Sequence, residues 1–223
     1  MSHQPLRRVG GTGIRGVVVV AHGGQSVGTE AVTAAQPAVL RIVPVAWAVR
    51  RAVGGSGVVV CTPRFRQRGW NGAQASPAGD LNEWLDEIAR RAGRVPVVLI
   101  GHSMGGRAAI RVAGHPLVSA VAGLAPWLPP GEPVAQLAGR RVLLVHGSAD
   151  RVTNPADTWA YADRAAAISE VATIEMLNGD HAMLRRARVW HRIAAEFARV
   201  ALALPGPEGQ VAGAFAGAGR SVV

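Results

Sequence analysis

At 223 residues and 23.1 kDa the chain is long enough for one compact domain and short for two. Its 49% hydrophobic and 17% charged composition, with a mean hydropathy of +0.19, excludes a disordered or fibrous chain. The net charge is +10, yet all 24 basic residues are arginine, which reads as a compositional bias of the source more than as a binding surface.

The longest apolar runs, such as Val17 to Ala21 and Val95 to Ile100, fall far short of the ~20 residues of a membrane-spanning helix. No membrane span is expected. Arg7 and Arg8 are followed by glycines and not by the apolar stretch of a secretory signal, so a cytoplasmic location is the default expectation. The single cysteine, Cys61, excludes an intramolecular disulfide and is most simply a core residue.

Gly11-Thr12-Gly13-Ile14-Arg15-Gly16 has the spacing G-x-G-x-x-G. A dinucleotide site needs a strand before those glycines and a helix after them. Here a strand follows, so the segment reads as an entry loop and no cofactor is expected. Strands are expected at Val17–Ala21, Gly57–Cys61, Val95–Ile100, Val118–Leu124, Arg141–His146 and Val171–Leu177. Helical patterns lie between them, near Ala38–Ala52, Asp80–Ala92, Met104–Ala113, Pro155–Ile168 and Arg185–Leu204. Asp80 reads as the N-cap of its helix, with Glu83 three residues on, and Arg90, Arg91 and Gly93 mark the end.

That alternation predicts an α/β fold: a three-layer sandwich of about six mostly parallel strands with helices on both faces. Residues 1–204 read as a single domain. The Gly/Ala-rich residues 205–223 read as a disordered tail. Basic residues cluster densely only at Arg64-Phe65-Arg66-Gln67-Arg68-Gly69-Trp70, with other arginine pairs scattered along the chain. No zinc-ligand spacing and no nucleic-acid module accompanies them, so neither a metal nor a nucleic-acid partner is expected.

Gly101-His102-Ser103-Met104-Gly105 has the form G-x-S-x-G, directly after a buried-strand run and directly before a helical pattern. A reversal this tight strains its central residue and needs small residues two positions to either side. Gly101 and Gly105 meet that need, and Gly106 lets the helix approach the sheet. The turn lifts the Ser103 hydroxyl clear of the sheet and aims a helix N-terminus at whatever bonds to it.

A serine hydroxyl is a weak nucleophile until a base takes its proton, and the base needs a carboxylate to orient it. Asp150 follows the strand ending near His146, and His181 follows the strand ending near Leu177. Both therefore sit at carboxyl ends of strands, where open α/β sheets place their chemistry. Asp180 is the rival carboxylate, but a neighbour in sequence is badly placed to hold the imidazole from behind. Asn154, just before Pro155, fills the N-cap role that would otherwise fall to Asp150.

In its order Ser103, Asp150, His181, and in the phrases GHSMGG, GSADRVTNP and NGDH, the chain resembles the α/β-hydrolase family over about residues 17 to 200. The resemblance implies an oxyanion hole from the N–H of Met104 and from His22-Gly23-Gly24 after the first core strand. The second N–H then belongs to Gly24 or Gly23, and His22 shapes the loop. Two departures stand out: the family's first two antiparallel strands have no counterpart, and Ala125 to Arg140, with four prolines, is too short and broken for a helical lid. The outline is a minimal hydrolase without a cap domain, similar to dienelactone hydrolases and acyl-protein thioesterases.

The expected activity is that of a serine hydrolase acting on a small-molecule carboxylic ester or thioester. Trp70, Trp127 and Leu128, with His22 and Gly23, are the pocket candidates. C–C bond hydrolysis, peptidase chemistry and cofactor-free peroxidation share the same triad, and a non-catalytic small-molecule receptor is the reading from another class.

Overall fold

The computed structural model describes residues 13–207, 209–217 and 219–223. Among these residues the elements run β1 (Gly16–Ala21), α1 (Pro37–Ala52), β2 (Val58–Cys61), α2 (Ser76–Ala92), β3 (Val97–His102), α3 (Met104–Arg111) and β4 (Val118–Leu124). They continue with β5 (Arg141–Gly147), α4 (Pro155–Ala165), β6 (Glu170–Met176), α5 (Ala187–Ala201), α6 (Gln210–Ala216) and β7 (Arg220–Val222). The strands form one sheet in the order β2-β1-β3-β4-β5-β6-β7, every pairing parallel. Each of the six expected strands is present, shifted at its ends by two residues or fewer.

β1 is a run of four valines between Gly16 and Ala21, and all six residues are buried. Such a strand needs cover on both faces. On one face Val17, Val19, Leu99, Val121 and Leu144 pack with Leu81, Leu85, Ile110 and Tyr161 of α2, α3 and α4. On the other, Val18, Val20, Ile100 and Val145 pack with Ile42, Val45, Trp190 and Phe197 of α1 and α5. The alternation of side chains along each strand thus feeds two separate cores.

Two expectations require correction. The chain after residue 205 is ordered where described: Val211 and Ala214 of α6 are buried, Phe215 stacks on Phe197 at 6.4 Å, and β7 adds a seventh strand beside β6. The N-terminus of α6 is satisfied by Glu196 of α5, which accepts from the N–H of Val211 (2.9 Å) and Ala212 (3.2 Å). A cap supplied from fifteen residues away leaves no local signal. Asp80 does not cap α2, which begins at Ser76 with Pro77 in its first turn. Asp80 is buried within the helix and accepts from the N–H and the Nε–H of Arg66.

Of the G-x-G-x-x-G spacing, Gly11 and Thr12 lie outside the described residues, and Gly16 opens β1. A strand and not a helix N-terminus follows the glycines, as the entry-loop reading requires. The basic cluster at 64–70 is stapled down. Arg66 pairs with Asp80 and Glu83, Phe65 and Trp70 are buried, and Gln25 N–H donates to Arg68 C=O at 2.9 Å.

Candidate active site

The turn from β3 into α3 is fixed by space. Ser103 sits at φ 52°, ψ −120°, a conformation L residues seldom adopt. A Cβ on Gly101 would overlap the Gly105 carbonyl, and one on Gly105 would overlap the His22 carbonyl. A Cβ on Gly106 would come within 2.9 Å of the Gly101 carbonyl. Close backbone crossings at these positions hold the strain at Ser103. Its carbonyl accepts from Arg107 N–H (3.1 Å) and Trp127 N–H (3.2 Å), which ties the segment after β4 to the same turn.

The loops after β5 and β6 carry the other two residues, and a second glycine contact joins them. A Cβ on Gly147 would overlap the Gly179 carbonyl, and Ala149 N–H donates to that carbonyl at 3.0 Å. This crossing brings Asp150 and His181 together. His181 Nδ1 lies 2.8 Å from Asp150 Oδ2, and its Nε2 lies 3.0 Å from Ser103 Oγ. Asp180 faces elsewhere, its Oδ1 accepting from Arg185 N–H at 2.7 Å. Asn154 caps α4, accepting from Ala156 N–H at 3.0 Å.

Asp150 is the most heavily bonded group of the site. Oδ2 receives His181 Nδ1, His146 Nε2 (3.0 Å) and the Thr153 hydroxyl (2.9 Å), while Oδ1 accepts from the N–H of Val152 (2.8 Å) and Thr153 (3.0 Å). Burial pushes its pKa up, but the hydrogen bonds from His146, His181, Thr153 and Val152 outweigh it and hold the carboxyl well below the usual range. It stays ionised. A carboxylate only accepts, so His181 presents Nδ1–H to it and leaves Nε2 free to accept the Ser103 proton.

On the opposite side of Ser103, the loop after β1 closes over the start of α3. A Cβ on Gly24 would overlap Met104 Cε and the Arg68 carbonyl, and one on Gly23 would lie 3.4 Å from Ser103 Cβ. His22 is buried, accepts from Phe65 N–H at Nε2 (3.1 Å) and presents Nδ1 to the Gly23 carbonyl at 2.6 Å. Nδ1 therefore carries the proton. Desolvation lowers the His22 pKa to about 4, so the ring is neutral. Holding the Gly23 carbonyl fixes the next peptide plane, and a trans peptide turns the Gly24 N–H away from His22. Met104, first residue of α3, has an N–H with no intrahelical acceptor.

Of the apolar pocket candidates, only Trp127 keeps part of its surface exposed. Trp70 and Leu128 are buried in the core beneath it. Trp70 meets Trp127 edge-on at 6.4 Å, and the Arg107 guanidinium lies 4.0 Å and 4.5 Å from their ring centroids. Arg107 and Arg111 both pair with buried Glu132. The segment from Ala125 to Arg140 is thereby pinned to α3, and a single 3₁₀ turn, Ala135–Leu137, is its regular structure.

Three polar residues escaped the sequence reading. His146 and Thr153 both bond Asp150, and His102, buried behind the serine, presents Nε2 to the His181 carbonyl at 2.8 Å. Burial and the neighbouring His181 lower the His102 pKa to about 3. A histidine inside a β-strand run gives no sign of which loop it will serve.

Residues 51–167, just over half of the chain, match the family model described as alpha/beta hydrolase fold. The chain belongs to the α/β-hydrolase family.

Solved structures of the family share its fold at low identity. An alpha-beta serine hydrolase homologue from Coxiella burnetii is 16% identical, covering 83% of this chain and 86% of its own, at a TM-score of 0.62. An a/b serine hydrolase without lid from Xanthomonas campestris is 16% identical over 87% of this chain and 84% of its own, at 0.61. The esterase domain of a Rhodothermus marinus protein is 18% identical over 85% and 88%, at 0.58. No curated protein matches the chain.

Proposed function

We propose that the protein is a serine hydrolase that cleaves a small carboxylic ester or thioester through an acyl-enzyme on Ser103. The observation that carries this reading is the unbroken line from Ser103 Oγ to His181 Nε2 (3.0 Å) and from His181 Nδ1 to Asp150 Oδ2 (2.8 Å). In that arrangement Ser103 Oγ attacks the carbonyl carbon while its proton passes to His181 Nε2. Asp150 stabilises the resulting imidazolium. The oxyanion is received by the N–H groups of Met104 and Gly24, at the N-terminus of α3. The intermediate then expels the alcohol or thiol, which takes its proton from His181. Water repeats the sequence on the acyl-enzyme and releases the acid.

The short segment after β4 favours an open site for short to medium acyl groups. The test is a chain-length series of nitrophenyl esters and acyl thioesters, run beside labelling by a fluorophosphonate. Turnover with covalent labelling at Ser103 is expected. A protein that neither labels nor turns over any member of the series, while remaining folded, would be a non-catalytic member of the family.

A further inference from the structure

The two faces of the sheet carry very different surfaces. α2 and α4 present five carboxylates at the surface, Glu83, Asp86, Glu87, Asp157 and Asp163, beside Arg90, Arg91 and Arg164. On α1 and α5 together there is one, Glu196, and it is buried on the N-terminus of α6. The same two helices, with the two residues before α5, carry Arg41, Arg50, Arg51, Arg185, Arg186, Arg188, Arg192 and Arg199. α1 and α5 pack side by side, so these cations share one face of the molecule.

That face is also unusually apolar. Leu40, Val43 and Trp47 are 55%, 49% and 61% exposed, and their i, i+3, i+7 spacing lines them along the solvent side of α1. Pro37 and Pro44 are exposed among them, and the row ends at Arg51, whose guanidinium lies 5.4 Å from the Trp47 ring centroid. Leu184, 72% exposed and three residues beyond His181, lies just before α5. A solvated helix normally turns polar side chains outward, and a connected exposed apolar stripe marks a docking surface.

Charge selects the occupant. A second copy applied by a two-fold axis would set arginine against arginine with no exposed carboxylate on either helix to pair them. A nucleic acid would neutralise the arginines but leave Leu40, Val43 and Trp47 without an apolar partner. A lipid surface uses both: aliphatic and indole side chains enter the boundary between headgroup and acyl chain, and arginines meet anionic headgroups. Among the described residues no helix is long and apolar enough to cross a membrane, so the association is peripheral.

We propose that the α1/α5 face docks the protein on an anionic lipid surface. The inference does not depend on hydrolysis, because it is read by binding.

The experiment is co-sedimentation of the full chain with vesicles of phosphatidylcholine, alone or with about one third phosphatidylglycerol. Partitioning is expected to be at least roughly tenfold stronger on the anionic vesicles and to weaken as salt rises. Leu40→Ser with Trp47→Ser should lower partitioning on anionic vesicles several-fold. Arg51→Glu with Arg188→Glu and Arg192→Glu should abolish the preference for phosphatidylglycerol. All five positions are at the surface, and the thermal transition of each variant reports that the fold is kept. Equal binding to both vesicle types, or wild-type binding by folded variants, overturns the proposal. So does preferential binding to duplex DNA that survives the loss of Leu40 and Trp47, or a dimer in solution that those two substitutions dissociate.

Discussion

The two halves of the candidate site are built by different physics. At the elbow, Ser103 is held by shape: Gly101, Gly105 and Gly106 let backbones cross where any Cβ would collide, and those crossings hold the serine at its positive φ. At the acid side, Asp150 is held by hydrogen bonds, five of them, drawn from His146, Val152, Thr153 and His181. Steric fixation is all-or-none, whereas a carboxylate with five donors loses its geometry by degrees. Substitutions at the elbow should therefore act abruptly, and those around Asp150 should form a graded series.

The largest effect is expected at the end of the elbow. Ser103→Ala removes only the hydroxyl and should lower kcat by roughly 10⁶-fold, with fluorophosphonate labelling lost and the thermal transition kept. Ester turnover at the wild-type rate by this variant would show that the elbow does not carry the nucleophile. Next is Asp150→Asn, which forces the wrong tautomer on His181 and should lower kcat about 10⁴-fold. Asp180→Asn should stay near wild type, since that side chain serves the Arg185 N–H. If Asp180→Asn proves the more damaged, the acid side has been assigned to the wrong residue.

The same contrast explains what the sequence revealed. A steric turn needs small residues at fixed offsets, so G-x-S-x-G between a valine-rich strand and a helix could be read directly, and the structure places Ser103 there. Asp150 and His181 were legible because each follows its own strand. The contacts that organise them were not. Gly147 against Gly179, Thr153 beside Asp150, and His102 on the His181 carbonyl join positions whose separation depends on the whole fold. The tail failed for a related reason, since Glu196 caps α6 and Phe197 receives Phe215 across a chain reversal that no local pattern announces.

Acid should destabilise the fold through the buried histidines on the elbow side. His22 and His102 have pKa values lowered to about 4 and about 3, mainly by desolvation, whereas in the unfolded chain both titrate near the ordinary histidine value of ~6.5. As pH falls through that value the unfolded chain takes up protons that the folded protein refuses. Stability is thus complete above pH ~6.5 and falls down to about 4 for His22 and about 3 for His102. At about 1.4 kcal/mol per pKa unit, His22 alone contributes on the order of 3 kcal/mol to that loss. Asp150, its pKa lowered, contributes only below the ordinary carboxylate range, so the interval from pH 6.5 to 4.5 isolates the histidines. A thermal transition that does not fall across this interval, or a His22→Gln variant whose fall is as steep as wild type, would contradict the neutral-ring assignment.

A smaller loss than that of Asp150→Asn is expected at His146, which tests whether the acid side is graded. Its ring is fully buried, with Nε2 3.0 Å from Asp150 Oδ2 and Nδ1 2.7 Å from the Thr158 hydroxyl of α4. Since the carboxylate only accepts, Nε2–H donates to Asp150 and Nδ1 accepts from Thr158, which makes His146 a positioning residue that acts through Asp150. His146→Phe keeps the ring's bulk, removes one of five donors and leaves the Thr158 hydroxyl without its acceptor. The four remaining donors should preserve most of the geometry, so kcat is expected to fall about tenfold, the scale of one lost hydrogen bond to a charged group, with KM unchanged. His146→Gln, which can still donate to Asp150, should recover part of that loss. Steady-state kinetics on both variants decide the matter: a fall as deep as that of Asp150→Asn would mean the carboxylate has no redundancy, and no fall in either variant would mean that Val152 and Thr153 hold Asp150 without help.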